Sequence, residues 1–170
     1  MRSLRHAPSS TMIGALGGGL RAAASFTPMF TVSEGARNLL YLAIDICLAV
    51  GLLGFYLPRR RRTRAAGTIG AFLALGGLIA GRIGPVVTSL DIYPVTAAAV
   101  VIGVLVLAFG EWRIRRTGGW LPLTFALSLV LGGIGTFVAR AGMLFILSGI
   151  LFGCGFAAMV IIDTGMQPTA

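Results

Sequence analysis

Apolar positions in this chain fall into long unbroken runs with no strand-like alternation, and each run ends where arginine, glycine or proline gathers. Four runs reach the roughly 20 residues needed to cross a hydrocarbon core: Asn38 to Leu57, Ala65 to Gly84, Tyr93 to Trp112 and Trp120 to Val138. A fifth, Gly142 to Ile162, follows almost at once. In lipid a chain must satisfy its own backbone polar groups, so runs of this length predict helices.

The first 36 residues are weaker. Met12 to Leu20 is apolar, but Gly17, Gly18, Gly19 and Arg21 interrupt it. Ala22-Ala23-Ala24-Ser25 imitates a cleavage site, yet a cleaved signal needs an uninterrupted apolar stretch. The segment therefore reads as a weak first span or a membrane-surface helix. The expectation is an all-α polytopic integral membrane bundle of five to six transmembrane helices. It forms one membrane domain, with short connections that force antiparallel neighbours.

Composition supports lipid as the main solvent: 56% of residues are apolar, 11% are charged, and mean hydropathy is +0.93. The net charge of +9 comes from arginine without any lysine. It gathers in two connections expected on one side, Arg59, Arg60, Arg61, Arg62 and Arg64, then Arg113, Arg115 and Arg116. The Arg82 to Asp91 connection and Arg140 fall on the other side. The positive-inside rule makes the two basic connections cytoplasmic, where they can also meet anionic headgroups. Six crossings with cytoplasmic termini keep Arg2 and Arg5 on that face, whereas five would strand them outside. The lysine-free composition suggests a bacterial source, hence the inner membrane. A short basic loop without an interleaved aromatic face does not read as a nucleic-acid surface.

Glycine is frequent within the runs. Gly77-x-x-x-Gly81 and Gly149-x-x-x-Gly153 each put two glycines on one helix face, where backbones can approach closely. Gly132, Gly133 and Gly135 thin the neighbouring run. Packing within the chain is the first reading of these motifs, and a contact with another copy is the second. Trp112, Trp120, Tyr41 and Tyr93 sit near run ends and read as headgroup-level anchors.

Candidate chemistry is sparse. Asp45 lies about 14 residues before the basic cluster and Arg82 about 18 after it, so their depths differ by only about 6 Å. Their side chains lean toward each other, and an intramembrane charge needs an opposite partner. An Asp45 to Arg82 ion pair follows. Structurally it would lock two helices. Functionally it could be a proton or cation site of a small transporter or channel, but Asp91, Glu111 and Asp163 fall at run ends and complete no relay. Glu111 is expected in a solvated pair with Arg113, Arg115 or Arg116. Arg21 is expected to snorkel.

The lone histidine, His6, excludes a haem ligand, a zincin motif and a Ser-His arrangement within the spans. The absence of lysine excludes a Schiff base. Cys47 and Cys154 have no metal or redox spacing and read as small buried hydrophobes. Lipid or isoprenoid chemistry would want an acidic cluster to hold metal and diphosphate. No metal, cofactor or catalytic residue is expected. The chain reads as a non-enzymatic accessory or structural subunit whose partners are the bilayer and other membrane subunits or itself.

From Glu34 to Trp112, several features occur in a familiar order. Glu34-Gly-Ala-Arg37 leads into Tyr41, then come Asp45, the arginine-rich turn, and Gly76-Gly77-Leu-Ile-Ala-Gly81-Arg82 followed by Asp91. This resembles an uncharacterised family of small bacterial membrane proteins with about four spans, a domain of unknown function. The resemblance implies a helical inner-membrane bundle with no known chemistry.

Overall fold

The computed structural model describes residues 8–31, 33–87, 92–115, 119–137 and 142–165. Among them every regular element is helical: α1 Pro8–Ala24, a 3-10 turn Thr27–Met29, α2 Glu34–Val87, α3 Tyr93–Arg115, α4 Trp120–Phe137 and α5 Gly142–Gly165. Four stretches among the described residues are long and apolar enough to cross a membrane: Glu34–Thr63, Ala65–Gly84, Tyr93–Ile114 and Gly142–Ile162. Trp120–Thr136 is apolar but shorter. The chain is an all-α, multi-pass membrane bundle.

The basic cluster is not a loop, as its charge run suggested. Helical backbone continues through Pro58 and the arginines as part of α2. If α2 were straight, Asp45 and Arg82 would lie about 55 Å apart; instead they touch. The Tyr56 hydroxyl likewise lies 3.0 Å from Thr68 Oγ1. So α2 folds back between Tyr56 and Thr68 into two antiparallel arms, residues 34–63 and 65–84. At the start of α2, the Ser33 hydroxyl accepts from the Ala36 amide at 3.4 Å, and Glu34 complements the positive end of the helix dipole. At the start of α3, Pro94 occupies a position whose amide has no helical partner.

α1 packs within the bundle. It lies between the first arm of α2 and α5, antiparallel to both. A Cβ added to Gly14 would sit 2.7 Å from Gly51 Cα, and one on Gly17 would sit 2.7 Å from Cys47 Cβ. The glycines that weaken α1 as an apolar run are the ones that let it approach its neighbours. Contacts then pass from α1 to the two arms of α2, to α3, α4 and α5, and back to α1. Six helical arms thus close into an antiparallel ring, which an even number permits.

The ring centre is apolar. Ile44, Leu48, Leu52 and Phe55 of α2 meet Val104, Leu107 and Ala108 of α3 and Phe125, Phe152 and Phe156 of α4 and α5. Phe125 and Phe152 pack edge-to-face, with centroids 5.9 Å apart. Several threonine hydroxyls are turned back onto their own helices, as in Thr63 to the Arg59 carbonyl and Thr136 to the Gly132 carbonyl.

The ring also divides into two halves of three arms with opposite orientation. The two junctions between the halves are built alike. A Cβ on Gly18 would lie 2.6 Å from Gly153 O and 2.8 Å from Ala157 N, joining α1 to α5. A Cβ on Gly70 would lie 2.6 Å from Gly103 O and 2.9 Å from Leu107 N, joining the second arm of α2 to α3. Each junction is a glycine pressed on a glycine and on the residue one turn beyond it.

Candidate functional site

Charged side chains inside the bundle gather at its two ends. At one end, Arg82 Nε donates to Asp45 Oδ2 at 2.5 Å, with side-chain exposures of 34% and 25%. The two residues that the sequence places at matching depth are in contact, one from each arm of α2. On the other flank of Asp45's helix, the Arg21 guanidinium lies 5.9 Å from the Tyr41 ring centroid, a cation–π distance. Tyr41 is one turn before Asp45, and its hydroxyl lies 3.0 Å from Thr27 Oγ1. Tyr41 is therefore more than a headgroup anchor, because it ties the α1–α2 connection to α2 and supports Arg21.

At the opposite end, Arg59 departs from the headgroup role expected of it. It is buried, with Nε 3.5 Å from Glu111 Oε1 and side-chain exposures of 5% and 15%. Its guanidinium carbon lies 4.0 Å from the Phe55 ring centroid, and Nη1 donates to the Phe55 carbonyl. Glu111 therefore meets Arg59 across helices, where a solvated pair with the arginines of its own connection was expected. The physical reason is helical phase: Leu52, Phe55, Arg59 and Thr63 share one face that turns into the core. Arg60, Arg61 and Arg62 point outward, as does Arg113. The backbone at Arg64 and Arg115 is helical, whereas Arg116, Asp91 and Arg140 lie outside the described residues.

The glycines singled out by spacing all face the chain itself. Gly77 and Gly81 pack on Thr96 and Val100 of α3, Gly149 on Ser25, and Gly153 on Gly18 and Ala22. Sequence spacing did not single out a reciprocal serine pair. Ser128 Oγ donates to the Ser148 carbonyl at 2.9 Å, and Ser148 Oγ donates to the Ser128 carbonyl at 2.8 Å, lacing α4 to α5. Its only signal was one serine in each of two facing apolar runs. Cys47 and Cys154 are free thiols, and Cys154 is exposed on α5, not buried as expected. Among the described residues no group of three or more His, Cys, Asp or Glu could hold a metal ion.

Compared with protein families, curated proteins and solved structures, the chain matches no family model, no curated protein and no solved structure.

Proposed function

We propose that this chain is a non-enzymatic integral membrane protein of a bacterial inner membrane, serving as an accessory or structural subunit of a larger membrane assembly. Its exposed arginines Arg60, Arg61 and Arg62 would face the cytoplasm with both termini. One observation carries the reading: the intramembrane charges are used between helices, Asp45 with Arg82 and Arg59 with Glu111, around an apolar centre. A site that processes a substrate would want polar groups converging on a cavity. The resemblance to small four-span bacterial membrane proteins points the same way. Because Gly77, Gly81, Gly149 and Gly153 are used within the chain, a partner subunit would meet the outward apolar faces. One such face carries Phe72, Gly76, Ile79 and Ala80.

Purification of the tagged protein from its native membrane in mild detergent, with the mass and composition of the particle determined, tests this. Stoichiometric membrane partners support the reading, and a lone monomer overturns it.

A second reading, a small transporter or channel using Asp45 and Arg82, draws support from the two inverted halves, an arrangement common in secondary transporters. Proton flux into vesicles that Asp45→Asn abolishes without unfolding the protein would favour it over the first.

A further inference from the structure

Arg21, Arg82 and Asp45 place two positive charges against one negative charge on three consecutive helical arms, at the end of the bundle away from the arginine cluster. Arg82 directs only Nε at Asp45, and among the described residues no side chain or carbonyl bonds its two terminal nitrogens. Arg21 lies over the Tyr41 ring, and Tyr41 shares a face of α2 with Asp45 one turn on. Among the described residues its guanidinium makes no ion pair, only the Tyr41 ring contact. Glu34 and Arg37, the other described charges near this end, are both exposed and sit one turn apart on α2, where they offset each other. Excess positive charge at the edge of a low-dielectric bundle is costly unless it meets water or an anion.

We propose that Arg21 and Arg82 together bind a phosphate oxyanion. Guanidinium forks match phosphate oxygens in geometry as well as charge. Asp45 holds Arg82 by one edge and leaves the other edge for the ligand, while the Tyr41 ring, tied to Thr27, supports Arg21. Exposed Phe26, Met29 and Phe30 flank Thr27 and give the site an apolar rim. A phospholipid headgroup and a free phosphate present the same oxygens, and the rim favours the lipid. The site stands whether or not the protein has partner subunits.

Native mass spectrometry of the full chain in mild detergent, titrated with phosphatidylglycerol, tests the proposal. Arg21→Gln leaves the Asp45–Arg82 contact in place, and Arg61→Gln removes the same charge from the exposed cluster at the other end. Arg21→Gln is expected to weaken binding about 10-fold, and Arg61→Gln to leave it within about twofold. Displacement by millimolar inorganic phosphate assigns the site to a free anion, and persistence of the lipid assigns it to a headgroup. Equal losses in the two variants, or no loss in Arg21→Gln, overturn the proposal.

Discussion

Arg82 Nε donates to Asp45 Oδ2 at 2.5 Å across 37 positions of one helical element, and this contact marks α2 as a hairpin, not a rod. The two arms are joined at their far end by the ion pair and near the reversal by the Tyr56–Thr68 hydroxyl contact.

Asp45→Asn removes the charge that faces Arg82. Loss of about 1–3 kcal/mol is expected, toward the low end of values for buried pairs because both side chains keep part of their exposure. Thermal unfolding in detergent reads the loss. The exchange Asp45→Arg with Arg82→Asp should recover most of it, and an unshifted melting temperature for Asp45→Asn would remove the pair from the forces holding the hairpin.

Arg59 and Arg61 are two positions apart and should behave differently. Arg59→Gln withdraws the buried charge facing Glu111 and is expected to destabilise by about 3 kcal/mol. Arg61→Gln, on the exposed face, should change stability by under about 0.5 kcal/mol. Equal melting temperatures for the two variants would contradict the burial of Arg59.

At the glycine junctions, added bulk has no room. Gly18→Leu and Gly103→Leu should each force helices apart and cost about 1–3 kcal/mol or more. Gly76→Ala and Gly133→Ala, whose added methyl groups would meet nothing within 4 Å, should be tolerated. Chemical denaturation of the four variants side by side separates the two classes.

The serine pair of α4 and α5 should show coupling. Ser128→Ala is expected to cost about 0.6 kcal/mol or more. In Ser128→Ala with Ser148→Ala the second substitution should add less than it does alone, which a double-mutant cycle measures.

Hydropathy made the membrane class and most of the helices legible, because α3, α4 and α5 begin at Tyr93, Trp120 and Gly142, where their apolar runs begin. Depth counting brought Asp45 and Arg82 together, since helical rise is fixed and a short reversal preserves register. Three features were not legible for physical reasons. Gly14, Gly17 and Gly18 lower the hydropathy of α1 while creating its contacts, so the property that seats the helix also hides it. Arg59 looked like one more charge in a solvated run, although Leu52, Phe55, Arg59 and Thr63 carry the core stripe on at helical spacing. Glu111 was assigned to its nearest arginines in sequence, whereas the hairpin brings Arg59 to it from α2.

Ring closure seats α1 between α2 and α5. Disulfide trapping tests it most directly, using Ser25→Cys and Gly149→Cys in a chain whose native cysteines are replaced and whose 116–118 connection carries a protease site. A Cβ at position 149 would lie 3.0 Å from Ser25 Cβ, so a small outward shift of the helices brings the pair to the roughly 3.5–4.5 Å that a bridge requires. After oxidation and cleavage in native membranes the two fragments are expected to stay joined until reductant is added. Fragments that separate without reductant would contradict ring closure.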